Sequence, residues 1–465
     1  MTRATEDGAR VLSLTESLCP TCLARVPASV VRCGEDVYLS KGCGLHGEVR
    51  TVIWRGLPAY EEWIRSKVPL RPPPHFTEVA KGCPFDCGLC VEHRQQTCTA
   101  LFEVTGRCDL GCRVCFALSG PRLPAEPSVR SLTEEYRRLM DSRGECNIQL
   151  SGGEPTLRDD LPALVEGARR VGFSFVQLNT NGIRLARSRN YAQTLKEAGL
   201  SSVFLQFDGT DDAIYRFLRG RSLLQEKEMA IEQCREAGLG VVLVPTVVPR
   251  INDENLGAIV RFALDRIPVV RGVHFQPVSY FGRYSASPCN EDRITLPEIM
   301  TTVERQTAGV FKAAAFGPPA CEHALCSFHR HFVHMPDGSL IPIGAPHEGP
   351  ECEEPLDAEE GSKRSVAAVA RQWSGSPAAA APACCCTKLS HERPSGQDEL
   401  DRFLDRARTH TFALSGMAFQ DAWTLDLERL RSCCIHVARP GGRLIPFCAF
   451  NLTSSCGVSL YPREA

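Results

Sequence analysis

Between Glu103 and Phe116 the chain reads EVTGRCDLGCRVCF, which sets Cys108, Cys112 and Cys115 in a C-x3-C-x2-C spacing. A loop this short aims three thiolates at one face of an iron-sulfur cube and leaves the fourth iron without a protein ligand. An open metal position is a place for chemistry, as it is in catalytic zinc sites and is not in closed structural ones. A strand-like run, Leu101 to Val104, leads into the loop, and an aromatic residue, Phe116, follows the last cysteine.

Cysteine usage elsewhere extends the metal reading. The chain carries 24 cysteines in 465 residues, in clusters with ligand-like spacing, and is too long to need disulfide scaffolding. In a reducing compartment that pattern means metal. The first residues lack a basic segment followed by an apolar run, and no stretch of ~18 apolar residues occurs. This predicts a cytoplasmic chain that spans no membrane, with peripheral membrane contact left open. A formal net charge of -2 and a pI near 6.6 give no electrostatic case for a nucleic-acid partner.

Residues 1–63 read as a rubredoxin-like or zinc-ribbon-like module. Cys19-Pro-Thr-Cys22 is one knuckle and Cys43-Gly-Leu-His46 a second, with alternating strand patterns beside them. Two such knuckles close a tetrahedral site for one iron or zinc ion, with Cys19, Cys22, Cys43 and His46 as ligands and Cys33 competing for one place. Residues 64–100 begin as a proline-rich linker, Pro72 to Pro74, and deliver a second group, Cys83, Cys87, Cys90 and Cys98. Four thiolates so close in sequence can saturate a [4Fe-4S] cube, with zinc as the competing occupant. His93 within this group reads as a solvated histidine.

From residue 101 to 285, strand and helix patterns alternate. Strands are predicted at Leu101–Val104, Asn147–Leu150, Ser174–Leu178, Val203–Phe207, Gly240–Val248 and Gly272–Pro277. Helices are predicted at Leu132–Met140, Leu161–Val171, Ala186–Ala198, Leu224–Ala237 and Asn255–Leu264. Strands separated by helices pair in parallel through right-handed crossovers, and six such units make an α/β fold, a partial (β/α)6 barrel. In barrels of this kind chemistry gathers at the carboxyl ends of the strands. There the sequence places Ser151-Gly152-Gly153-Glu154-Pro155, Asn179-Thr180-Asn181-Gly182 and Gln206-Phe207-Asp208-Gly209, with Thr246, His274 and Gln276 on the last two strands. Paired glycines let backbone approach a ligand closely, and the carboxylate of Glu154 can accept from an ammonium group. Asn179, Asn181, Gln206 and Asp208 are polar tips on apolar strands, although Asn181-Gly182 and Asp208-Gly209 also read as turn formers. Arg216, Arg219 and Arg221 read as a solvated face, with a grip on an anionic group as the competing reading.

Beyond the barrel, residues 286–347 hold Cys321 and Cys326 and a strand carrying His329 and His331 on one face. Residues 348–398, acidic and then alanine- and proline-rich, read as a long loop or disordered insert that includes Cys384-Cys385-Cys386. Residues 399–465 end in a hairpin with cysteines on both arms, and Cys434 and Cys448 pair with Cys321 and Cys326 as candidate ligands of a further cube.

The C-x3-C-x2-C loop with its adjacent aromatic, followed one strand later by G-G-E-P, resembles the radical SAM superfamily. The full order of parts is more specific: CPTC, KGCPFDCGLCVEH, VTGRCDLGCRVCF, LSGGEPTLRDDL, VQLNTNGI, CCIH and RLIPFC. It resembles the tetraether lipid synthase family, which also carries the description of a class D pterin methyltransferase. The CGLH knuckle and the alanine-rich insert depart from that pattern. The resemblance implies that Cys108, Cys112 and Cys115 hold a [4Fe-4S] cluster whose open iron binds S-adenosylmethionine (SAM). Gly152, Gly153 and Glu154 then orient SAM, and Phe116, Asn179, Asn181, Gln206, Asp208 and Gln276 lie where they can contact it. It also implies one or two auxiliary [4Fe-4S] clusters, an iron or zinc ion in the N-terminal module, and a reductant such as flavodoxin or ferredoxin.

The activity implied is reductive cleavage of SAM to a 5′-deoxyadenosyl radical, which takes hydrogen from an unactivated carbon to form a carbon-carbon bond on a lipid chain. That reading predicts a hydrophobic funnel at the barrel mouth. A second reading, radical methylation or rearrangement of a polar small molecule such as a pterin, predicts a smaller pocket lined by Asn, Gln and Arg. A third, a non-catalytic iron-sulfur electron carrier, leaves the G-G-E turn without a purpose.

Overall fold

The computed structural model describes residues 9–64, 77–88, 90–120, 126–319, 321–343, 358–375 and 399–463. The N-terminal alternation of apolar and polar residues folds into an antiparallel meander of β1 (Arg10–Leu18), β2 (Arg25–Cys33), β3 (Asp36–Cys43) and β4 (Gly47–Trp54), lying in sequence order. The β1–β2 and β3–β4 turns are at the same end of this sheet, so both cysteine knuckles meet there. Val30, Val37, Leu39 and Trp54 on its buried face join the main hydrophobic core.

The barrel strands are β5 (Thr99–Thr105), β6 (Asn147–Gly152), β7 (Val176–Thr180), β8 (Ser202–Gln206), β9 (Gly240–Val244), the short β10 (Thr246–Val247) and β11 (Val270–Pro277). β5, β6, β7, β8, β9 and β11 pair in parallel in that order. Their cover is helical for a local reason that the helix Val129–Arg143 illustrates. Leu132, Tyr136 and Leu139 fall on one buried face, and Ser128 caps the start by accepting from the Ser131 amide. Each buried leucine contributes about 2 kcal/mol of hydrophobic stabilisation. The helix expected over Ala186–Ala198 is two, Ile183–Arg187 and Tyr191–Glu197, because Asn190 between them adopts a left-handed φ of 69°.

The sheet extends past six strands. β12 (Ser327–His334) and β13 (Leu340–Ile343) are antiparallel additions, β14 (Thr411–Met417) runs parallel beside β11, and β15 (Ile435–Arg439) runs parallel beside β5 and antiparallel to β16 (Arg443–Pro446). The C-terminal chain therefore flanks both edges of the barrel and is continuous with its sheet.

The stretch 348–398, expected to be loop or disordered, contains the helix Ala358–Trp373. Alanine is the best helix former, and Glu359–Lys363 and Glu360–Arg364 ion pairs, both 2.8 Å, brace its exposed side. Over its first three turns the inward positions are small, Gly361, Ser362, Ser365 and Ala368, so the usual large-residue periodicity is missing until Gln372 and Trp373 at its end. Cys384-Cys385-Cys386 and Pro72 to Pro74 lie outside the described residues. No helix among the described residues is long and apolar enough to cross a membrane.

Candidate active site

A cavity of about 500 Å³ runs through the barrel interior. At the carboxyl end of the strands its wall is formed by Cys108, Cys112, Cys115 and Phe116 and the turn Ser151 to Glu154. The cysteine loop is held in shape by Arg283, which donates from Nε to the Cys112 carbonyl (3.0 Å) and from a terminal nitrogen to the Ser119 carbonyl (3.1 Å). Its backbone also exchanges two 3.0 Å hydrogen bonds with Cys115. No motif in the sequence marks Arg283. Phe116 packs its ring on Phe447, 5.4 Å between centroids.

Gly152 and Gly153 also allow a close approach within the protein. A Cβ on Gly152 would lie 2.2 Å from the Thr105 carbonyl, and one on Gly153 would lie 2.0 Å from the Arg107 carbonyl. Gly153 N donates to Thr105 O and Glu154 N to Arg107 O, both at 2.7 Å. The pair thus lets β6 zip its turn against the backbone that carries Cys108. Gly153→Ala is expected to displace that backbone; overpacking ordinarily costs about 1–3 kcal/mol and a backbone collision falls at the upper end or beyond. Iron content and thermal midpoint of the purified variant should both fall, and wild-type values for both would refute this account of the turn.

The Glu154 carboxylate is buried and already occupied. It accepts from Thr156 N (3.1 Å), Thr156 Oγ1 (2.6 Å), Thr180 Oγ1 (2.6 Å) and Asn181 N (2.7 Å), the last on the second oxygen. Burial pushes its carboxyl above the ordinary range, and these four donors oppose that shift. Asn181 is likewise engaged: its Nδ2 donates to Asp109 Oδ1 (2.7 Å), its Oδ1 accepts from Ile183 N (2.9 Å), and buried Lys227 donates to its carbonyl (2.5 Å). Glu154 and Asn181 therefore brace the turn and the cysteine loop against each other. Burial lowers Lys227 to about 8.

Asp208, expected at the rim, is fully buried under Arg219. The pair is bidentate, Nε to Oδ2 at 2.7 Å and a terminal nitrogen to Oδ1 at 2.6 Å. Arg219, expected on a solvated face, is 6% exposed and lines the cavity instead. Asn179, Gln206, Gln276, Thr246 and His274 do line it, and the Asn179 and Gln206 side-chain carbonyls are buried without a partner. His329 and His331 share one strand face, as their spacing predicts, and that face also lines the cavity.

Burial pushes the Cys108 thiol up to about 12, and a cationic metal centre reverses that by displacing the proton. Three thiols on one cavity wall fit the three-cysteine ligation of an iron-sulfur cube with one open iron. In the N-terminal sheet, Cys19, Cys22, Cys43 and His46 bring their donor atoms within 4.8 Å of one another. Cys19 Sγ lies 3.6 Å and Cys43 Sγ 3.5 Å from His46 Nδ1, spacings that suit one tetrahedral ion. Cys33 is outside this group and contacts Arg50.

The remaining cysteines group differently from expectation. Cys83, Cys87 and Cys90 share a small pocket with His93 and Arg431, but Cys98 stands with Cys321 and Cys434, whose donors lie within 4.8 Å. Parallel pairing of β15 with β5 is the cause: Ile435 faces Thr99, and Cys98 N donates to Cys434 O at 2.8 Å. The Cα atoms of Cys98 and Cys321 are 7.6 Å apart, wider than a disulfide ordinarily spans. Cys326 and Cys448, expected beside Cys321 and Cys434, instead lie near Cys433, the residue before Cys434. His93 is buried, bonded to the Cys433 carbonyl at 2.8 Å, and lies 3.2 Å from His436 Nε2. Burial lowers it to about 4, so the solvated reading is corrected.

A radical SAM superfamily model matches residues 102–263, and a model described as the HMPTM N-terminal zinc ribbon domain matches 11–55. Over 94% of its length the chain is 36% identical to 93% of the 7,8-dihydro-6-hydroxymethylpterin dimethyltransferase of Methanocaldococcus jannaschii. The chain belongs to this radical SAM family. The mitochondrial GTP 3′,8-cyclase of Arabidopsis thaliana is 32% identical over 38% of the chain and 45% of that protein. Among solved structures, SuiB of Streptococcus suis bound to its precursor peptide SuiA aligns with a TM-score of 0.40 and 15% identity, covering 47% of each chain. As a radical SAM protein the chain uses SAM and a [4Fe-4S] cluster, and its zinc ribbon and cysteine groups provide further metal sites.

Proposed function

We propose that this radical SAM enzyme transfers methyl groups to a polar, nitrogen-rich heterocycle of the pterin class, from a one-carbon donor separate from the SAM molecule cleaved to the radical. The observation that carries the reading is the belt of amide side chains facing into the barrel. Gln149 donates to Gln177 (2.7 Å), which donates to Ser202 (3.4 Å), while Asn179 and Gln206 present unpaired buried carbonyls to the same cavity. An unpaired buried acceptor costs about 1–3 kcal/mol, which a ligand N–H or O–H removes and a lipid chain cannot. The near-full-length relative named as a pterin dimethyltransferase supports the same choice. The lipid-coupling expectation is the weaker reading on both counts.

Cys108, Cys112 and Cys115 would hold the SAM-binding cluster, with backbone of Gly152 and Gly153 beside it. Bound there, cluster and SAM supply a carbon radical able to take hydrogen from a C–H bond that no protein base could deprotonate. The chain's own residues hold geometry and exclude water: Arg283 fixes the cysteine loop, Glu154 and Asn181 fix the turn against it, and Arg219 presents a buried cation to the cavity. Asp208 keeps that cation in place.

The test is isotope transfer. Reduced, cluster-loaded protein is given SAM and 7,8-dihydro-6-hydroxymethylpterin deuterated on carbon, and 5′-deoxyadenosine is analysed by mass. Deuterium in the nucleoside supports the proposal. Label arriving only from a deuterated isoprenoid lipid supplied in a parallel reaction would replace it with lipid coupling.

A further inference from the structure

The helix Ala358–Trp373 lies across the amino-terminal ends of the barrel strands and closes the cavity at the end opposite the cysteine loop. Gln372 Nε2 donates to Arg271 O (3.0 Å), and Arg271 Nε donates to Gln372 O (2.9 Å). Arg271 is itself pinned by the Thr409 carbonyl (2.6 Å) and Thr411 Oγ1 (2.7 Å). At the helix end, a Cβ on Gly240 would lie 2.4 Å from the Trp373 carbonyl, so the chain sits directly on the first residue of β9. Near its start, Ser362 Oγ is 3.2 Å from Cys98 Sγ. The helix is therefore a floor docked at both ends.

On the cavity side of this floor three aromatic side chains from three elements converge. The Trp373 ring is 5.5 Å from Phe204 and 6.0 Å from His274, and the latter two are 5.4 Å apart. His274 is held in orientation by its Nδ1 contact with Ser415 Oγ (2.8 Å). Phe204, His274 and Trp373 all line the cavity. Asn179 lines it too; it pairs with Phe204 across β7 and β8, and its side-chain Oδ1 is buried without a partner. Flat apolar faces next to an unpaired buried acceptor fit one kind of ligand: a planar ring with an N–H donor on its edge.

We propose that Trp373, Phe204 and His274 form the ring subsite for the substrate's heterocycle, with Asn179 Oδ1 accepting from a ring N–H. The inference rests on the heterocycle reading above and deepens it. The alanine-rich segment thereby becomes a specificity element, because Trp373 supplies one wall of the subsite. Burial lowers His274 to about 4, so it meets the ring as a neutral imidazole, compatible with stacking on an uncharged heterocycle.

The test is anaerobic equilibrium binding of 7,8-dihydro-6-hydroxymethylpterin to the full-length, cluster-loaded protein with SAM present, followed by calorimetry and by tryptophan emission. Trp373→Ala should weaken binding at least ~tenfold, in line with the worth of one aromatic stacking partner. Trp373→Phe should retain binding yet lose the ligand-induced quenching of tryptophan emission, a change that a purely structural role for Trp373 would not produce. Asn179→Ala should weaken binding several-fold, and Arg371→Ala, on the exposed side of the same helix, should leave it unchanged. Should Trp373→Ala fold poorly, the quenching result in Trp373→Phe decides alone. Wild-type affinity in Trp373→Ala, or full quenching in Trp373→Phe, overturns the subsite while leaving the heterocycle reading intact. No pterin binding by the wild type overturns both.

Discussion

Cys112→Ala is expected to abolish 5′-deoxyadenosine formation from SAM in reduced, reconstituted protein. Cys112 is one of three thiols on the cavity wall, and its carbonyl is also the point at which Arg283 clamps the loop. Removing the thiolate leaves two protein ligands for a cube that already carries one open iron, and a cluster so held is lost or cannot present that iron to SAM. Iron at the other cysteine groups should be retained, because none of them shares Cys112. Cysteine outside all groups provides the control: Cys234→Ala, buried in the helix Leu224–Glu236, should keep the activity. Nucleoside formation persisting in Cys112→Ala would remove the three-cysteine loop from the chemistry.

The largest expected effect on stability comes from Asp208→Ala. Asp208 has no exposure and Arg219 has 6%, so the substitution strands a guanidinium in the protein interior. It also strips an acceptor from Thr246 N, now 3.2 Å from Asp208 Oδ1. Breaking a buried pair from one side costs about 3–5 kcal/mol, whereas a fully exposed pair such as Arg305–Glu254 is screened by solvent and contributes far less. The thermal midpoint of Asp208→Ala should therefore drop clearly below that of Glu254→Ala. The double variant Asp208→Leu/Arg219→Met should recover much of the loss, since it leaves no charge behind. Equal midpoints for Asp208→Ala and the wild type would show that the pair does not hold β8 to the helix Asp212–Arg219.

Glu154 and Asp208 show how sequence motifs can mark the right place for an incomplete reason. Both stand at strand ends, where ligand contacts are expected, yet each spends its carboxylate on protein groups. Glu154 serves four donors in its own neighbourhood, and Asp208 serves Arg219. A residue's type and position along a strand are legible in the chain. Which acceptor sites remain free depends on side chains brought from other strands, and Arg219 and Lys227 arrive from helices that carry no recognisable motif.

The order of strands, the cysteine loop and the ribbon knuckles were determined by the sequence alone, because each depends on residues close together in the chain. Hydrophobic alternation, turn residues and short ligand spacings act locally and survive without knowledge of the fold. Only the tertiary structure decided which distant cysteines meet. Parallel pairing of β15 with β5 carries Cys434 to Cys98, separating Cys98 from Cys83, Cys87 and Cys90, the three that precede it in the same segment. The same is true of the helix Ala358–Trp373: its alanines favour a helix, but its place comes from docking on Gly240 and Arg271, contacts that a one-dimensional pattern does not contain.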